Sequence, residues 1–317
     1  MSTRSTRPQA CQKTSPRILG IGVVVIDHVL TFPRHPEVDT KNEANGSHLH
    51  GGGPVPVALA QLNRLGWQPQ LISRWGEDPF GHLVEQWLAA DGIRFPNGCR
   101  HGETTGLSHV WVEESTGLRT SATVRPQPTD LESLVTPSVI NEVDALHLDG
   151  WAYEAAARAA RAMKAQDKLV CIDTGSPKPG IDQLLCFADV VNCPRVFCEQ
   201  FFGSSDLISA TRRIAEFGPR LVTATDGPRD VVLHANGQTW TGKSLPLEKI
   251  IDTNGAGDIF SAALIHATWN GWLPEQTLRF AIAAAGLKCS RPIDNRLLSN
   301  DQEVLQLAQL VETRQLG

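Results

Sequence analysis

Ile250-Ile251-Asp252-Thr253-Asn254-Gly255-Ala256-Gly257-Asp258-Ile259-Phe260-Ser261-Ala262-Ala263-Leu264 reads as the end of a strand, a turn of small residues and the start of a buried helix. Gly255, Ala256 and Gly257 carry almost no side chain, so their backbone N–H groups can close on an anion at the positive end of that helix. A carboxylate directly after an anion site repels phosphate. Asp258 therefore suits a group that takes the proton of an attacking hydroxyl while the N–H groups hold a transferring phosphoryl. The same spacing also describes a plain helix N-terminus, with Asp252 and Thr253 as turn and capping residues and Asp258 answering the dipole.

The rest of the chain bounds the choice. Its 317 residues, 41% hydrophobic and 20% charged, are those of an ordinary globular protein of one or two domains. With 29 basic against 34 acidic residues the net charge is −5, so no basic field exists to draw nucleic acid or acidic lipid. A small-molecule substrate is expected. Cys11, Cys99, Cys171, Cys186, Cys193, Cys198 and Cys289 are odd in number and irregularly spaced, which reads as reduced thiols in a cytoplasmic protein. Cys193 and Cys198 lack a matching second pair of ligands, which argues against zinc. No apolar run approaches the roughly 20 residues that span a bilayer. The polar first 16 residues, with Arg4, Arg7 and Lys13, are expected to be a disordered tail, with one domain over 17–317.

Arg17 to Leu30 is expected to be one continuous buried strand. Asp27 lies at its exit, where open α/β sheets gather ligands, and can accept hydrogen bonds from two sugar hydroxyls. Gly51-Gly52-Gly53 gives a backbone-lined loop before an amphipathic helix that Gly66 stops. Leu71 to Gly81 reads as strand and turn, with a helix to Ala90; Arg74 faces the ligand side and could meet an anionic substituent or a structural carboxylate. Residues 31–50 turn polar and end in Ser47-His48-Leu49-His50, which alternates like a half-exposed strand; residues 100–125 are β-rich, a hairpin about Ser115-Thr116-Gly117, and together they predict a small sheet separate from the main body. An exposed flat sheet is an edge hazard unless partnered. After residue 143 strands and helices alternate, which argues a parallel sheet with helices on both faces.

Gly237-Gln238-Thr239-Trp240-Thr241-Gly242-Lys243-Ser244 satisfies the P-loop pattern, yet Asn236-Gly237 reads as a hairpin turn and Pro246 blocks a helix after the lysine. The pattern is rejected.

Asp252-Thr253-Asn254-Gly255-Ala256-Gly257-Asp258 resembles the DTxGAGD signature of the ribokinase/PfkB carbohydrate kinases. That resemblance implies a ribokinase-like α/β fold, with a mostly parallel central sheet, helices on both faces and a small β lid that often forms a dimer contact. It implies ATP-dependent phosphorylation of a sugar hydroxyl with Mg2+, Asp258 as general base and Gly255, Ala256 and Gly257 as the anion hole. Asp27, Gly51, Gly52, Gly53 and Arg74 would face the sugar, and Asn192, Thr223, Thr225, Asp226 and Gly227 the nucleotide. Asp252 and the Ser290 region would hold a monovalent cation, K+.

Three positions depart from the family pattern. Pro56 stands where an asparagine donates to the sugar, and Thr225 where the nucleotide turn carries glycine. Arg195 replaces an acid that acts on magnesium through water, leaving two alternatives: the metal is held otherwise, with Glu199, or turnover is impaired. The GGGP loop and Leu287-Lys288-Cys289-Ser290-Arg291-Pro292 look most like the sulfofructose kinase branch. A nucleoside kinase of the same fold, and a catalytically weak sugar or nucleotide sensor, remain as competing readings.

Overall fold

The computed structural model describes residues 15–101, 104–292, 297–298 and 301–316. The first 14 residues of the expected tail, Cys11 among them, lie outside the described residues. The chain runs β1 (Arg17–Ile21), β2 (Val25–Phe32), β3 (Gly46–Gly52), α1 (Pro54–Arg64), β4 (Gln68–Ile72), α2 (Pro79–Ala90), β5 (Gly106–Glu113) and β6 (Arg119–Val124). It continues α3 (Pro137–Glu142), β7 (Ala145–Leu148), α4 (Tyr153–Lys164), β8 (Leu169–Asp173), α5 (Ile181–Leu185), β9 (Val190–Pro194), α6 (Arg195–Phe202), α7 (Leu207–Ala215) and β10 (Leu221–Thr225). The hairpin β11 (Val231–Ala235) and β12 (Gln238–Gly242), helices α8 (Ala256–Trp269), α9 (Pro274–Cys289) and α10 (Asp301–Ala308), and β13 (Thr313–Leu316) complete it.

The strands form a nine-stranded sheet, ordered β13-β12-β11-β10-β9-β8-β7-β1-β4, and a four-stranded sheet, β3-β2-β5-β6. From β4 through β10 the large sheet is parallel, and β11 to β13 add an antiparallel edge. Alternate side chains feed two cores, because successive strand residues point to opposite faces. Ile18, Ala145 and Cys171 pack with α1, α8 and α9, while Leu19, Leu146 and Val170 pack with α4 to α7. Asn236 and Gly237, at φ 51° and 74°, turn the β11–β12 hairpin with the left-handed backbone such a turn needs. The P-loop-like pattern thus lies across an antiparallel hairpin.

Two expected elements differ. Arg17 to Leu30 is two strands in two sheets: β1 ends at Ile21, and the chain leaves the large sheet before β2 begins in the small one. At the break Asp149, just past β7, takes the Val23 N–H on its carboxylate at 2.8 Å in place of a strand partner. Hydropathy misses it because Val24, Val25 and Ile26 stay buried. Ile250 and Ile251 form no strand and are about half exposed, at 56% and 50%. β12, the strand before them, is already paired with β11 and β13, and the Ile251 N–H instead donates to the Cys289 carbonyl at 2.8 Å.

In the small sheet β2 lies between β3 and β5, its register setting Asp27 opposite His50 and Ser108. Thr31, Val112 and Arg119 share another row, so Asp27 and Arg119 project from the same face. Leu49, Trp111 and Val124 lie on the opposite face, each at least 36% exposed.

Candidate active site

Asp252 to Asp258 form a turn leading into α8. The Asp252 carboxylate accepts the Asn254 N–H at 2.9 Å, and Gly255 takes a left-handed backbone, φ 80°, as the residue before the helix. Ile259 and Phe260 are buried directly after it, so the apolar run anchors the helix and leaves its first turn at the surface. The N–H groups of Gly255 and Gly257 donate to no described residue. A methyl group built on Gly257 would meet nothing within 4 Å, so the space beside this residue is open to an anion. The Asp258 carboxylate folds back over the turn, 3.7 Å from where a Gly255 side chain would begin.

The lid sheet meets this turn through Asn254. Its side-chain N–H donates to Asp27 Oδ2 at 3.2 Å, and its carbonyl accepts from the Arg119 guanidinium at 2.6 Å. Arg119 forms no ion pair with any described residue. His50 Nδ1 lies 3.9 Å from the Asp27 carboxylate. The glycine loop closes the same space. A Cβ on Gly52 would lie 2.4 Å from Asp27 Oδ2, one on Gly51 would enter the Trp87 ring, and Gly53 has φ 106°, a backbone that disfavours any side chain. Asp27, the glycine loop, Asn254 and the turn bearing Asp258 therefore lie together around one space, the candidate crevice. Arg74 is buried and donates to the Thr129 carbonyl.

Asn192 and Thr223 lie inside the protein. The Asn192 amide donates to Asp173 at 3.3 Å and to Ser261 at 3.1 Å, and accepts from Thr223 at 2.9 Å. Ser261 in turn donates to Asp173 at 2.7 Å, so this network ties α8, one turn beyond Asp258, to the end of β8 and the middles of β9 and β10. Nearer the rim, Arg195 donates to Glu199 at 2.6 Å and to Asp226 at 2.7 Å, and Arg229 reaches Asp226 at 2.9 Å. Thr225 ends β10 opposite Pro194, and Gly227 turns the chain at φ 57°. Deeper in, burial pushes the Asp149 carboxyl above its ordinary range and the Lys178 ammonium below its own, each opposed by the other's charge.

At Asp252 the donors expected for a monovalent cation are already engaged. Lys288, fully buried, places its ammonium on the Asp252 carboxylate and donates to the Asp252 carbonyl at 2.7 Å. The Ser290 hydroxyl donates to the Leu287 carbonyl at 2.8 Å. Two like charges about 4 Å apart repel by about 4 kcal/mol at an effective dielectric of about 20. A K+ ion on Asp252 beside this ammonium does not fit.

Asn254, Arg119 and Lys288 were not singled out from the sequence as site residues. Lys288 carries a signal that could have found it: a lone charge near the end of the small-residue apolar run Ala281 to Leu287, needing a buried partner. Arg119 carries none, because only strand register brings it to the turn.

The family described as pfkB family carbohydrate kinase matches residues 15–299. A fructokinase of Klebsiella pneumoniae is 29% identical over 72% of this chain and 80% of its own length. An Arabidopsis thaliana ribokinase solved with ribose and ATP superposes with a TM-score of 0.73 at 22% identity, covering 93% of this chain and 99% of that one. An Escherichia coli chain assigned as ribokinase II, solved with ATP and Mg2+, gives a TM-score of 0.76 at 19% identity, covering 93% of this chain and 99% of that one. The expected ribokinase-like architecture, a large mostly parallel sheet with helices and a small separate sheet, is the one observed.

Proposed function

The chain belongs to the pfkB family of carbohydrate kinases, and from that premise we propose that it transfers the γ-phosphoryl group of ATP to a sugar hydroxyl with Asp258 as general base. The observation that carries this reading is the Asn254 side chain, which links Asp27 to the turn holding Asp258. Asp27 accepts hydrogen bonds from neighbouring sugar hydroxyls and so fixes the acceptor. Asp258, beside Gly255, takes the proton of the hydroxyl aimed at phosphorus. The unengaged N–H groups of Gly255 and Gly257 hold the phosphoryl oxygens as charge develops on them.

Among the described residues no cluster of three His, Cys, Asp or Glu is arranged to hold a metal. That is compatible with Mg2+ carried on the nucleotide's phosphates, which commonly asks the protein for only one or two carboxylates. When bound, MgATP supplies the phosphoryl group and the metal that spreads its charge. Glu199 and Asp226 are already paired with Arg195, so we assign that cluster to shaping the nucleotide rim together with Thr225 and Gly227. Asn192 and Thr223 support α8 from inside.

We read residues 17–317 as one domain and its exposed outer lid face, with Leu49, Trp111 and Val124, as a homodimer contact. The six described cysteines are free, in keeping with a cytoplasmic setting. A narrower reading of the acceptor follows from Arg119: a guanidinium at the crevice with no ion-pair partner among the described residues favours a sugar carrying an anionic group. The test is an ATP-depletion screen over ketoses, aldoses, sulfonated or phosphorylated sugars and nucleosides. Depletion with a sugar is expected, strongest with an anionic one; depletion with nucleosides alone makes the chain a nucleoside kinase. Nucleotide binding without depletion by any acceptor makes it a sensor.

A further inference from the structure

We propose that the Lys288 ammonium is a built-in counterpart of a monovalent cation, holding the signature turn in place so that the chain needs no such ion there. The surroundings ask for positive charge. Helix α9 ends against the turn, with the Cys289 carbonyl accepting the N–H groups of Ile251 at 2.8 Å and Asp252 at 3.3 Å. A helix C-terminus is the negative end of the helix dipole, and the Asp252 carboxylate adds a full negative charge beside it. Two kinds of oxygen converge there, one carboxylate and one backbone carbonyl, and both belong to Asp252. The cation that meets them arrives on a side chain from the last turn of α9 itself.

Lys288 has no exposed surface. A buried ammonium is tolerated only when its hydrogens are taken up by acceptors, and a partly buried carboxylate is stabilised when it is answered by charge. Each of this pair satisfies the other. The consequence passes along the turn: Lys288 fixes Asp252, the Asp252 carboxylate holds the Asn254 N–H at 2.9 Å, and the Asn254 side chain reaches Asp27 at 3.2 Å. Lys288 is thus a positioning residue, acting on the crevice through Asp252 and Asn254 without lining it. A tethered cation costs less ordering entropy than a captured one and cannot be diluted away.

The effect on catalysis rests on the kinase reading; the cation replacement does not. The experiment therefore has two arms on the full chain, in buffers of equal ionic strength made with choline, sodium or potassium chloride. In the first, thermal midpoints are measured. The parent is expected to have the same midpoint in choline and potassium. Lys288→Ala, which opens space beside Asp252, is expected to melt lower and to recover saturably with potassium but not choline. Lys288→Met, which keeps the stem without the charge, is expected to melt lower without recovery. A saturable potassium-specific rise in the parent overturns the proposal, and so does a folded Lys288→Ala that ignores potassium. If neither variant folds, thallium(I) NMR of the parent decides: a bound signal displaced by potassium overturns the proposal, and its absence supports it. In the second arm, ATP turnover of the parent is expected to be equal in choline and potassium. That of Lys288→Ala is expected to fall at least tenfold and to be partly restored by potassium or methylammonium. A chain that turns over no ATP under any condition sinks the kinase reading alone, while the midpoints still decide the cation.

Discussion

The side-chain amide of Asn254 donates to the carboxylate of Asp27 at 3.2 Å, across 227 residues of sequence. One residue belongs to the turn before α8 and the other to the lid sheet, so this bond joins the two halves of the crevice. Under the proposed function it also marks the place of the acceptor, because a carboxylate that bonds a neutral amide can exchange it for a sugar hydroxyl at little cost.

Replacing Asp27 by Asn keeps the shape and removes the charge. Hydrogen bonds to a charged group contribute about 1.5–3 kcal/mol each, equivalent to roughly ten- to more than a hundredfold in affinity. Asp27→Asn is expected to raise the acceptor KM by that order while ATP affinity, read by calorimetry without acceptor, stays at the parent value. An unchanged acceptor KM would remove Asp27 from the site.

Asp258→Asn addresses the chemical step. Losing a general base lowers the rate by roughly 10²–10⁴-fold. The expected result is a fall in kcat of that size, with a parent-like thermal midpoint and parent-like nucleotide binding. Turnover within a few-fold of the parent would assign proton removal to another group.

Much of this arrangement was legible from the sequence, and the parts that were not have a common cause. The parallel body follows from alternating apolar strands and helices, and the turn into α8 from small residues ahead of an apolar helix. The single strand expected over Arg17 to Leu30 failed because burial continues through Val23 and Val24 while the strand pairing does not. Hydropathy registers burial and is blind to a carboxylate that intercepts one N–H. Ile250 and Ile251 failed in the opposite sense, being apolar yet half exposed, with the Ile251 N–H taken by the end of α9 and not by a strand. Arg119 and Lys288 reach the turn through register and helix docking, which are properties of paired elements and not of any one segment.

The glycine loop offers a contrast between neighbours. A methyl group on Gly52 would stand 2.4 Å from Asp27 Oδ2, whereas one on Gly51 would stand 1.8 Å from the Trp87 ring. Gly52→Ala is expected to displace Asp27 and weaken acceptor binding at near-parent stability. Gly51→Ala must move a packed indole and is expected to destabilise the fold by about 1–3 kcal/mol, as overpacking does. Acceptor KM and denaturant midpoints of both variants distinguish the two effects. Equal losses of stability would mean that the Asp27 side chain cannot yield.

His147 on β7 supplies a test in pH. It is buried beneath the α8 face of the sheet, and burial lowers its pKa from 6.5 to about 4 against the opposing pull of Asp173. In the unfolded chain the imidazole binds a proton below its ordinary pKa, while in the folded chain it stays neutral until near pH 4. The unfolded state therefore carries more protons within that window, so stability falls as pH falls through it, by about 3 kcal/mol in all. Above pH 6.5 this contribution is fully present. His147→Leu has no proton to bind in either state, and Asp149, Asp173 and Lys178 are common to both chains. Denaturant unfolding at pH 7 and pH 4.5 is thus expected to show a smaller loss in the variant than in the parent. Equal losses would mean that His147 is charged in the fold and has found an anionic partner in the interior.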